Sequence, residues 1–172
     1  ALDRKARRLG VRYRVFVASM ADIFHNKVPQ EWRDEFWAMV LEFTNLDILL
    51  LTKRPQNIVK QVPEAWMVNW PKHVWLGFTA ENQEEFDRRY EHVKRVPAAI
   101  RFVSMEPLLG RITLPVSAGL VLSWIIVGGE SGPLAKIRPM ELEHVYFMLR
   151  QCRERGIAFF MKQLDQISFR KS

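Results

Sequence analysis

Only one cysteine, Cys152, occurs in the 172 residues of the chain, so no internal disulfide can form, which fits a reducing, cytoplasmic compartment. Long apolar runs are missing too. Runs such as those at residues 48–51 and 124–127 fall far short of the ~20 residues that cross a bilayer, and no membrane span is expected. The N-terminal Ala-Leu-Asp-Arg-Lys has no apolar core behind its charges, so nothing marks export. Histidine is sparse: His25 and His73 have no second histidine or cysteine at metal-ligand spacing, and His92 and His144 fall in helical stretches, which leaves no zinc site to build. Neither the dinucleotide glycine fingerprint nor the phosphate-loop lysine pattern is present.

What is there is enough apolar material for one core. With 48% hydrophobic and 12% aromatic residues, the chain is expected to form a single globular domain over residues 1–172. The net charge is +7, and its distribution says more than its sum. Arg4, Lys5, Arg7, Arg8, Arg12 and Arg14 stand against Asp3 alone. Six cations and one carboxylate make +5 in the first fourteen residues, leaving +2 for the other 158. Residues 1–14 therefore read as a basic N-terminal arm. It is either a solvated or frayed helix, or a weak nucleic-acid contact through Arg4, Lys5, Arg7 and Arg8 whose binding falls with salt.

A short apolar, β-branched run ending in polar residues recurs, starting at 15, 48, 74, 100, 124 and 157. The interval of 24 to 33 residues matches a strand, a helix and two loops, which is what parallel strands need. Amphipathic stretches lie between the runs. Trp32, Phe36, Met39, Val40 and Phe43 share one helical face, Phe86, Tyr90 and Val93 another, and Leu142, Val145, Leu149 and Cys152 a third. Cys152 is thus expected to be a buried structural thiol. Nearly continuous apolar strands imply that both sheet faces are covered. An open doubly wound sheet and a barrel both satisfy this pattern. A parallel (βα) partial TIM-type barrel of about six strand-helix units is preferred, because every run ends in polar residues, as a barrel's functional rim requires.

In a parallel arrangement those polar ends converge: Ser19 and Asp22, Thr52 with Lys53 and Arg54, Thr79 and Glu81, Ser104 and Glu106, Glu130 and Ser131, Lys162 and Gln163. Gly128-Gly129-Glu130-Ser131-Gly132 holds three glycines in five residues, which suits close backbone approach to a ligand as well as a plain tight turn. Glu106, before Pro107, is either a ligand anchor, an acid or base, or one half of an ion pair with Arg101 or Lys53. Lys53 and Lys162 follow apolar strands, where a barrel would hold a Schiff-base lysine, although most such lysines pair with carboxylates.

Six ordered blocks carry a family resemblance: residues 15–25 (VFVASMADIFH), 51–55 (LTKRP), 75–77 (WLG), 101–110 (RFVSMEPLLG), 126–132 (IVGGESG) and 159–163 (FFMKQ). Together they resemble a phage- and prophage-borne radical-SAM-like family catalogued as a domain of unknown function. The resemblance implies a barrel that in full-length members begins with a three-cysteine segment. That segment would bind a four-iron four-sulfur cluster that cleaves S-adenosylmethionine. The 172 residues contain no such segment, so the chain corresponds to the C-terminal part and is not expected to assemble the cluster or act as an enzyme by itself. The resemblance makes Gly128, Gly129, Glu130 and Ser131 cofactor-binding candidates. Glu106, Lys53 and Lys162 are the catalytic candidates, and Ser19, Asp22, Arg54, Ser104 and Gln163 the substrate-binding ones. The remaining alternatives are a nucleic-acid-associated accessory protein that uses the basic arm and a metal-free lyase-like barrel that uses Lys53 or Lys162.

Overall fold

The computed structural model describes residues 1–17 and 21–169; Ser19 lies outside them. Its elements run α1 (Leu2–Leu9), β1 (Tyr13–Phe16), α2 (Gln30–Glu42), β2 (Leu46–Thr52), α3 (Ile58–Gln61), α4 (Glu64–Val68), β3 (Val74–Thr79), α5 (Gln83–Val93), β4 (Arg101–Met105), α6 (Ala118–Val121), β5 (Trp124–Gly128), α7 (Leu142–Arg155), β6 (Ala158–Gln163) and α8 (Gln166–Phe169). Each of the six apolar runs forms a strand, and the strands form one sheet in the order β1-β2-β3-β4-β5-β6. Pairing is parallel, with Ile48 opposite Val74 in β2 and β3 and Val103 opposite Ile125 in β4 and β5. The protein is therefore α/β with a sequential parallel sheet.

Strands β2 to β5 are buried along nearly their whole length, consistent with apolar runs that do not alternate. Strand β6 differs, alternating exposed and half-buried residues from Ala158 to Gln163. It has β5 on one side and ends the sheet, so its apolar sequence is only half covered.

The chain divides into two compact units, Ala1–Phe78 with His92–Ile100 and Thr79–Glu91 with Arg101–Ser172. The first is built on an aromatic ladder. Phe24, Trp37, Trp66 and Trp70 follow one another with ring centroids 5.8, 5.2 and 5.2 Å apart, in the range favoured by edge contacts. Their indoles are satisfied as burial demands: Trp37 Nε1 donates to Gln61 O and Trp70 Nε1 to Val74 O. The ladder explains a shift in α2. The inward residues are Arg33, Trp37 and Val40, one position off the face expected from Trp32 and Phe36, and Trp32 is 63% exposed. Arg33 reaches inward because its guanidinium donates to Ile23 O and His25 O.

The second unit packs Phe86, Phe102, Val103, Ile125, Val127 and Met148 into its core. Here α5 turns Phe86 and Tyr90 inward as its spacing predicts. In α7 the buried set is Val145, Met148, Gln151 and Cys152. Gln151 enters because its amide serves two backbone groups, Leu114 N–H and Ile112 O, on the irregular segment between β4 and β5. That segment contains only the four-residue α6, in line with its turn-rich sequence. Among the described residues no helix is long and apolar enough to cross a membrane.

Candidate functional site

In the first unit, the loop after β1 is fastened to the end of β2 through Asp22. Its carboxylate accepts hydrogen bonds from Phe24 N–H, Thr52 Oγ1, Lys53 N–H and Arg54 Nη1, and Thr52 Oγ1 in turn accepts from Arg54 N–H. A carboxylate with this many donors is a clamp that shapes the loop. It draws Asp22 and Arg54 together, at 3.2 Å. Lys53 is exposed beside them.

In the second unit, the ends of β4, β5 and β6 meet. Glu106, one residue beyond β4, accepts from Ser104 Oγ at 3.0 Å and pairs with Lys162 Nζ of β6 at 2.7 Å. The side chain of Glu106 is 19% exposed and that of Lys162 is 53% exposed, so the pair reaches the surface from the lysine side. The Glu106 loop is held by its backbone: Leu108 N–H donates to Gly128 O and Leu109 N–H to Glu81 O. Gly128 is small for a reason visible here, since a Cβ on it would lie 3.1 Å from Glu106 Oε2.

The other members of the glycine-rich segment are turned to structural ends. A Cβ on Gly129 would sit 2.3 Å from Asp165 N, so its missing side chain admits the chain after β6. Gly129 N–H donates to Gln163 O, and Gln163 Nε2 donates to Gly129 O, which ties Gln163 down. Of the three glycines only Gly132 has positive φ, at 148°. Glu130 is held by Arg138, whose Nε, Nη2 and backbone N–H all donate to it. Those bonds from the Arg138 side chain, then its backbone, depress the Glu130 carboxyl to about 2, and the same contact raises the Arg138 guanidinium. Ser131 is exposed.

Three residues that the sequence reading did not single out organise this unit. Arg89, its side chain 8% exposed, bridges Thr79 O, Thr79 Oγ1, Glu81 and Glu85. Asp165, buried, accepts from Met140 N–H, Ser168 N–H and Ser168 Oγ, closing the segment that covers Gly129. The Asp-x-x-Ser spacing before α8 is a helix-start signal that would have marked it. Arg138 lies eight residues beyond Glu130 in a loop, and no local pattern points to it.

A four-iron four-sulfur cluster does not fit this chain. Cys152 is buried in α7, burial pushes its thiol up to about 12, and among the described residues no three His, Cys, Asp or Glu side chains are grouped to hold a metal ion. Arg4, Lys5, Arg7 and Arg8 are exposed on α1.

The sequential parallel sheet and its helices define the class of protein: an α/β protein with charged side chains at the carboxyl ends of its strands. The chain belongs to the family described as protein of unknown function (DUF5131), whose profile matches residues 2–171. No curated protein and no solved structure matches it.

Proposed function

We propose that the chain is the C-terminal part of a radical-SAM-like, TIM-type barrel protein, and that it binds S-adenosylmethionine or another polar substrate at the strand ends. The observation that carries this reading is the Ser104–Glu106–Lys162 arrangement at the ends of β4 and β6. A carboxylate fixed by a serine and facing a surface lysine offers one group to an ammonium and one to a carboxylate, as an amino-acid moiety requires. Glu106 would hold the ammonium, and Lys162 would swing out to take the carboxylate. Glu130 is a weaker candidate, because Arg138 already engages both of its oxygens. The cluster chemistry that the resemblance implies needs thiolates from outside these residues.

A Schiff-base lyase finds less support, since Lys162 is exposed and ion-paired, unlike the desolvated amine such chemistry uses.

The test is calorimetric titration of S-adenosylmethionine, and of methionine as the bare amino-acid moiety, into the chain. Saturable binding that is lost in Glu106→Gln and Lys162→Met supports the proposal. Binding that survives both substitutions, or no binding by either compound, overturns it.

A further inference from the structure

The basic arm is a docked helix with its charges sorted to one side. Stepping about 100° per residue along Leu2–Leu9 places Arg7, Arg4, Arg8 and Lys5, in that order, on an arc of about 160°. Leu9, Leu2 and Ala6 fall on the opposite arc. Ala6, at the middle of the helix, is fully buried against the protein, while Leu2 and Leu9 at its ends are exposed. The helix is tied to the protein near its start and capped at its end. Asp3 accepts from Asn45 N–H and Asn45 Nδ2, and Gly10 closes the C-terminus in the left-handed conformation, with Val11 N–H donating to Ala6 O.

The cations of the arm divide into two kinds. Arg12 is structural: its guanidinium donates to Asp47, Thr44 O and Leu46 O. Arg14 lies over the Trp75 ring at 5.0 Å. By contrast, the side chains of Arg4, Lys5, Arg7 and Arg8 are exposed, and among the described residues no side-chain hydrogen bond or ion pair engages them. Asp3, the one carboxylate on the helix, is committed to Asn45. The pairs Arg4–Arg7, Arg4–Arg8 and Lys5–Arg8 stand three or four residues apart, where like charges work against a helix. An arc that bears only uncompensated cations, on a helix anchored through its other face, matches a row of anions outside the molecule.

We propose that this outward arc of α1 is a contact for the phosphate backbone of a nucleic acid. The sorting of residues favours nucleic acid over a lipid surface. A membrane-bound helix buries its apolar face in the bilayer, whereas the middle of that face on α1 is occupied by the protein, with Ala6 fully buried and Asp3 bonded to Asn45, and only Leu2 and Leu9 at its ends are exposed. The contact is independent of the strand-end site. Contacts to phosphate position the protein on nucleic acid without selecting sequence.

Fluorescence anisotropy with a labelled duplex DNA of about 20 base pairs, titrated at several salt concentrations, is the test. Four neutralised phosphates predict a slope of log affinity against log salt near −3.6, or about 150-fold weaker binding at about 200 mM than at about 50 mM. Arg4→Ala with Lys5→Ala, Arg7→Ala and Arg8→Ala should abolish saturable binding. Arg4→Lys with Arg7→Lys and Arg8→Lys, which keeps every charge, should retain the slope. Should the quadruple variant fail to fold by circular dichroism, single Lys5→Ala and Arg8→Ala variants serve, each lowering the slope by about 0.9. Equal affinity in wild type and a folded quadruple variant would overturn the proposal, as would capture by anionic phospholipid vesicles without duplex binding, or no duplex binding at about 50 mM salt.

Discussion

Glu106 Oε2 lies 2.7 Å from Lys162 Nζ, joining residues 56 positions apart in the chain at the carboxyl ends of two strands that flank β5. Because Lys162 is half exposed, the pair contributes little to stability, within about 1 kcal/mol. Lys162→Ala should therefore leave the urea midpoint nearly unchanged while weakening S-adenosylmethionine or methionine binding at least about tenfold, the scale of one lost charge-assisted hydrogen bond. A large loss of stability with unchanged binding would mark the pair as structural.

The two adjacent glycines are expected to respond differently to alanine. On Gly129 the new methyl meets backbone, at 2.3 Å from Asp165 N, whereas on Gly128 it meets the end of a flexible side chain, at 3.1 Å from Glu106 Oε2. Gly129→Ala should cost about 1–3 kcal/mol through overpacking. Gly128→Ala should cost less, and it should shift ligand affinity through Glu106. Chemical denaturation of both variants, with titration of the second, checks the ordering.

Acid unfolding should reveal the Glu130–Arg138 contact. The folded carboxyl sits at about 2, against an ordinary 4.5, so the unfolded chain takes up the proton first as pH falls. The stabilisation is complete above 4.5 and is lost as pH falls from there to about 2. Wild type and Glu130→Gln should differ in urea midpoint at neutral pH and converge across that window. A constant gap down to pH 2.5 would refute the assignment.

The thiol of Cys152 should be inert in the native state. It is fully buried and raised to about 12, so the reactive thiolate is scarce at about pH 8. A water-soluble disulfide reagent should titrate no thiol in the folded protein and one after guanidinium unfolding. Prompt native reaction would contradict the burial.

Removal of the Asp22 carboxylate should act on the loop it shapes. Asp22→Ala strands the donors of Thr52, Lys53 and Arg54, for an expected loss of about 1.5–3 kcal/mol. Ligand binding at Glu106 and Lys162 should persist in the folded fraction. Thermal melting and calorimetry on the same sample separate the two effects.

Chain order and local pattern were enough to find the sheet. Six apolar runs became six strands in sequential order, because a run of buried β-branched residues has one good use between amphipathic helices. The amphipathic faces were legible where apolar residues alone line them, as with Phe86 and Tyr90. They were misread where a polar side chain is drawn inward by backbone groups that only the fold supplies, as with Arg33 and Gln151. Glu106 and Lys162 were each legible as polar strand ends, but their partnership was not, since Arg101 and Lys53 were equally plausible partners for Glu106.

The sequence by itself determined the α/β class, the parallel connectivity, the presence of a single cysteine and the basic character of the first fourteen residues, all of which depend on residue type and spacing along the chain. Only the tertiary structure decided that Gly129 makes room for Asp165, that Glu130 belongs to Arg138, and that α1 shows its cations outward with no carboxylate among the described residues to meet them. These outcomes depend on which groups approach within a few ångströms after folding. Hydrogen bonds and steric contacts act over that range, and a linear pattern does not encode it.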